Sequence, residues 1–138
     1  MRNRIVAVID DDKKFLGEIE GTLLMGGYAP VLVVDAFLAV DALTQNKPDV
    51  ILVELKMRCK NGFELTHTIN RIFEARRTPI IAMSAFFKDE FSGLMKLCGI
   101  KRCLRKPFQP LDVIWAIENE IEEGNPLSDE ANLNYNLM

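Results

Sequence analysis

A chain of 138 residues with 49% apolar and 27% charged side chains has the make-up of one globular domain, long enough to bury a core without disulfide or metal staples. Its net charge of −3 argues against non-specific nucleic-acid binding, which needs a concentrated basic face, and no apolar run approaches the roughly 18 residues of a membrane helix. The opening apolar stretch is cut off by acids too early for a signal peptide, and Cys59, Cys98 and Cys103 match no CxxC spacing, so free thiols in a reducing cytoplasm are expected.

Strand-like runs alternate with amphipathic stretches along the chain. Residues 4–9 (RIVAVI) read as a first buried strand. A helix follows, with Phe15, Ile19, Leu23 and Leu24 expected on its core face and Gly26-Gly27 at its end. Residues 28–34 form a second strand, which Pro30 assigns to a sheet edge. Asp35 is placed to cap a second helix, and 49–54 (DVILVE) is a third strand. The third helix carries Phe63, Leu65, Ile69 and Ile72 on its inner face. It leads to a fourth strand, TPIIAMSA, and then to a helix over KDEFSGLMKLCG that ends at Gly99 and has Phe91, Met95 and Cys98 inward. A short fifth strand, IKRCLRK, precedes a last helix with Pro110 in its first turn, Val113, Ile114, Ile117 and Ile121 inward and Gly124 past its end. Residues 1–123 are expected to form the domain, and the polar 124–138 a tail or the start of a linker.

This alternation predicts an α/β fold of (βα)5 type, a parallel sheet with helices on both faces. Ligands of such sheets sit beyond the C-terminal ends of the strands. The residues at those ends are Asp10, Asp11 and Asp12, then Glu54, Ser84 and Lys106. Converging carboxylates suit a hard cation such as Mg²⁺. A hydroxyl and an ammonium beside them suit a phosphoryl group.

Together, IVAVIDDDKKFLGEIEGTL, PDVILVELKMRCKNGFEL, TPIIAMSA and CLRKPF resemble the receiver domain of two-component response regulators, over residues 4–123. The resemblance implies a flavodoxin-like three-layer sandwich with strand order 2-1-3-4-5 and no enzymatic activity of its own. It implies that Asp10, Asp11, the residue at 54 and the Lys56 backbone carbonyl are Mg²⁺ ligands. Ser84, Ala85 and Lys106 are implied as the phosphate-binding positions and Cys103 as the switch position. It also implies a protein partner, either a histidine kinase or a downstream effector, and no direct contact with nucleic acid or membrane.

Three positions depart from the family pattern. The phosphoacceptor, normally aspartate, is Glu54, whose extra methylene moves the carboxylate out by about 1.5 Å; a misplacement near 1 Å costs about a hundredfold in such chemistry. The aromatic switch residue is replaced by Cys103. The proline that usually follows the acceptor by four positions is Arg58. A pseudo-receiver that signals without phosphorylation is therefore expected, with Mg²⁺ bound weakly if at all. One alternative is a conventional receiver cut from a longer regulator; a remote one is a haloacid dehalogenase-type phosphatase built on Asp10 and Asp12.

Phe87, Leu94, Leu97, Lys101 and Trp115 are the expected interface residues. They lie by resemblance on the face of the fourth helix, fifth strand and last helix, where a homodimer or effector would bind. The competing expectation packs Trp115 under the tail through Leu133 or Tyr135. His67, the sole histidine, is expected at the surface.

Overall fold

The computed structural model describes residues 3–58, 60–73, 76–86 and 88–123, so Cys59, Phe87, Gly124 and the 124–138 tail with Leu133 and Tyr135 lie outside the described residues. The elements run β1 (Ile5–Ile9), α1 (Lys13–Met25), β2 (Ala29–Val33), α2 (Ala39–Asn46), β3 (Val50–Glu54), α3 (Gly62–Phe73), β4 (Ile80–Ser84), α4 (Ser92–Leu97), β5 (Ile100–Arg105) and α5 (Pro110–Glu123). All strand pairs are parallel and the order is β2-β1-β3-β4-β5, the expected flavodoxin-like sheet.

The central strands β3 and β4 are buried along their whole length, because helices cover both faces and leave no face for polar alternation. One apolar layer joins the sheet to α1 and α5 through Leu16, Ile19, Leu23, Val113, Ala116 and Ile117. The other joins it to α2, α3 and α4 through Leu43, Leu65, Ile69, Phe73 and Cys98. Among the described residues no helix is long and apolar enough to cross a membrane.

The strand assignments hold within a residue or two. Pro30 lies on the edge strand β2, opposite Val6. The neighbouring Ala29 N–H donates to the Arg4 carbonyl, so strand alternation turns the nitrogen of position 30 to the open side. Asp35 caps as expected, accepting from Phe37 N–H, although the next turn is a 3-10 turn over Ala36–Leu38 before α2 begins.

Two inward assignments are corrected. In α1 the core stripe is Leu16, Ile19 and Leu23, and Leu24 is 58% exposed, because one further residue turns it about 100° off that stripe. In α3 the stripe is Leu65, Ile69 and Phe73; Phe73 takes the inner position and Ile72 is 51% exposed. The fourth helix is also shorter than expected: Asp89–Phe91 is a separate 3-10 turn, and Cys98 closes a helix that begins at Ser92. In α5, Val113 and Ile117 are buried as expected, whereas Ile114 and Ile121 are half-buried. His67 is exposed.

Candidate functional site: a lysine held between two buried carboxylates

The C-terminal ends of β1, β3 and β5 bring Asp10, Glu54 and Lys106 into direct contact. Asp10 is 1% exposed and Glu54 8%. The Lys106 ammonium lies 2.5 Å from Asp10 Oδ2 and 3.3 Å from Glu54 Oε1. It also sits 3.8 Å from the centre of the Phe15 ring, a cation–π contact on its third side. Phe15 is thus half-buried at the site, and Phe108 meets its ring edge-on at 5.7 Å.

The remaining carboxylate oxygens are occupied by the backbone. Asp10 Oδ1 accepts from Asp12 N–H at 3.0 Å, and Glu54 Oε2 accepts from Leu55 N–H at 2.9 Å. Asp12 is the N-cap of α1, accepting from Lys14 and Phe15 N–H, which explains the third acid without assigning it chemistry. Asp11 Oδ2 accepts from Arg58 N–H at 2.8 Å and so ties the β1 and β3 loops together. Burial pushes the Glu54 carboxyl above its ordinary value; Lys106 opposes this and the Asp10 charge adds to it.

These groups line an open cleft of about 550 Å³, whose rim includes Lys13, Lys14, Arg58 and Ala85. Hard oxygen donors of the kind Mg²⁺ takes are present in Asp10 and Asp11. As the side chains stand, the Lys106 ammonium occupies Asp10 Oδ2.

The other expected site residues are placed less directly. Ser84 is buried, and its Oγ accepts from Phe86 N–H at 3.0 Å, which turns it toward its own loop. Lys56 forms an isolated bridge with Asn61, and its side chain leaves the cleft for the Phe86 ring, 4.1 Å away. Cys103 is half-buried beside the site; burial, then the nearby Glu54 charge, raise its thiol above the ordinary value, with Arg105 opposing.

Gly62 fixes the loop behind Glu54. A Cβ there would overlap the Glu54 carbonyl oxygen and the Leu55 backbone, while Gly62 N–H donates to the Leu55 carbonyl at 3.0 Å. Gly62→Ala is expected to cost about 1–3 kcal/mol through this overpacking, read as a lower urea midpoint at unchanged slope.

On the opposite flank, Trp115 is 59% exposed, Leu97 74% and Leu94 41%. The Arg102 guanidinium lies 4.6 Å above the Trp115 ring and pairs with the buried Glu120 at 3.1 Å. Sequence reasoning passed over both Arg102 and Glu120. The available signal was an acid three residues past Ile117, near the inner face of α5.

The response regulator receiver domain family matches residues 6–118. Among solved structures, chemotaxis protein CheY4 of Vibrio cholerae superposes with a TM-score of 0.81 at 23% identity, covering 86% of this chain and 98% of that one. The receiver domain of Francisella response regulator 1452 gives 0.79 at 27% identity, covering 89% and 100%. A response regulator receiver domain protein from Clostridium thermocellum gives 0.78 at 25%, covering 88% and 96%. A match that runs from the first strand into the last helix takes in the sheet and the cleft together, and the chain belongs to the response regulator receiver domains of two-component signalling.

Proposed function

We propose that this receiver domain acts by binding a protein partner without taking a phosphoryl group, as a pseudo-receiver. The observation that supports this reading is the position of Glu54. Its longer side chain reaches Lys106 at 3.3 Å and folds back onto Leu55 N–H at 2.9 Å, so neither oxygen points freely into the cleft. An acceptor must attack a bound phosphodonor in line, and a carboxylate tied at both oxygens starts from the wrong geometry. The Glu54 carboxylate also satisfies Lys106 in the way a phosphoryl group would, but with one charge less.

In this reading Asp10 and Asp11, with the Lys56 carbonyl, retain a weak Mg²⁺ site that opens only when Lys106 leaves Asp10. Ser84, Ala85, Lys106 and Cys103 keep phosphate-binding and switch positions that are no longer driven. The domain works in the cytoplasm, without direct contact with nucleic acid, on a kinase or an effector. Leu94, Leu97, Lys101 and Trp115 supply its contact face or a homodimer on the α4–β5–α5 side.

The test is incubation with acetyl phosphate and Mg²⁺ followed by intact-mass spectrometry of wild type and Glu54→Asp. Wild type is expected to stay unmodified, and Glu54→Asp to gain about 80 Da, the mass of one phosphoryl group. A stable adduct on wild-type Glu54 overturns the proposal in favour of a conventional receiver.

A further inference from the structure

The loop that runs beside the cleft after β3 differs in chemistry from the acids at the strand ends. The acids at the strand ends turn inward or cap the backbone: Asp10, Asp12 and Asp35 each accept from nearby N–H groups, and Asp11 from Arg58 N–H. The loop between β3 and α3 carries cations instead, with Lys56 and Arg58 exposed and Lys60 half-buried. Lys56, Arg58 and Lys60 alternate along it, and among the described residues none of the three forms an ion pair.

An exposed aromatic ring stands on either side of this loop. Phe86, at the end of β4, is 59% exposed with Lys56 Nζ 4.1 Å from its centre. Phe37, after β2, is 66% exposed with Lys60 Nζ 5.5 Å from its centre, and its neighbour Leu38 is 58% exposed. Strands β2 and β4 are three inter-strand steps apart in the sheet, about 14 Å. The surface therefore reads apolar, cationic, apolar over the length of about four extended residues.

Two large rings stand exposed, each beside a lysine. A ring and an ammonium that lose water together gain more from their contact than they do when exposed, and aromatic side chains are enriched where partners dock. Charge complementarity selects the occupant. Three cations framed by apolar groups fit carboxylates framed by aliphatic side chains. A nucleic-acid strand fits less well, because the chain is net acidic at −3 and the three cations are bounded by apolar groups instead of continuing along a line of phosphates.

We propose that the loop surface formed by Lys56, Arg58 and Lys60 between Phe37 and Phe86 docks a protein segment with an acidic centre and aliphatic flanks. This rests on the reading that the domain acts by binding, and it names the chemistry of the partner on the α2–α4 side of the cleft.

The experiment is fluorescence anisotropy with the full chain, at low salt and without phosphodonor. The probes are a labelled peptide with a run of glutamates flanked on both sides by leucines, the same peptide with glutamines, and an oligodeoxythymidine. The glutamate peptide is expected to bind about tenfold more tightly than the glutamine peptide, with the difference shrinking as salt rises. Lys56→Glu/Lys60→Glu, shown folded by circular dichroism, is expected to lose about that factor and to gain affinity for a lysine-centred peptide; Phe86→Ala is expected to weaken wild-type binding severalfold. Equal binding of the glutamate and glutamine peptides, no effect of the double charge reversal, or oligodeoxythymidine bound as tightly as the glutamate peptide overturns the proposal. Phosphoryl transfer to Glu54 would remove the pseudo-receiver reading but leave these affinities as measured, so the two failures are distinguishable.

Discussion

Lys106→Met is expected to lower the unfolding free energy by about 3 kcal/mol, the largest effect of any single substitution at the site. Methionine keeps most of the side-chain volume and its contact with Phe15, so the loss isolates the charge. Asp10 is almost fully buried and Glu54 nearly so, and the ammonium is their shared cation. Breaking such a pair from one side strands carboxylates in a poorly solvated place, which costs far more than the pair contributes when intact. The double variant Lys106→Met/Asp10→Asn removes the better-buried stranded charge and is expected to recover about half of the deficit. Urea denaturation of wild type, single and double variants checks both. A single-variant loss below about 1 kcal/mol would mean that water already screens the pair.

Glu54→Gln is expected to stabilise the protein at neutral pH, by about 1 kcal/mol. Burial favours the uncharged carboxyl, against the pull of Lys106 and with the push of Asp10. A folded-state pKa above the unfolded one means that the group's contribution is fully present below the unfolded value, near 4.5, and is lost as pH rises through the folded value. Glutamine stays neutral throughout. Its advantage over wild type should therefore be absent at about pH 4 and appear as pH rises toward neutrality. Thermal unfolding of both proteins across that window measures it. An advantage that does not change with pH would assign the effect to packing.

The fold was legible because its signals are local. Four apolar residues from Val50 to Val53 with no polar alternation announce a strand buried on both faces, and Pro30 announces an edge. The strand order came from the family resemblance, since no local feature of β2 names its neighbour. Leu24 and Ile72 were misplaced because helical spacing gives an apolar stripe but not where the neighbouring elements cut it off. At the site, the meeting of Asp10, Glu54 and Lys106 could be read from their positions at strand ends. The occupancy of each oxygen could not. It depends on side-chain reach, as when Glu54 folds back onto Leu55 N–H, and on loop path, as when Arg58 offers its N–H to Asp11. The pairing of Lys56 with Phe86 and of Lys60 with Phe37 joins residues from different loops, and no pattern within one segment encodes it.

The position of Pro30 has a consequence for how copies of this protein meet. A parallel sheet ends in two rows of backbone groups that another strand could continue. On the β2 side, proline leaves a gap in the row of donors where an incoming strand would need one. On the β5 side, the exposed Lys101 sets a like charge against its own copy in an edge-to-edge approach. The sheet is closed to extension at both margins, so assembly falls to side-chain surfaces, where charge and shape choose the partner and the backbone does not.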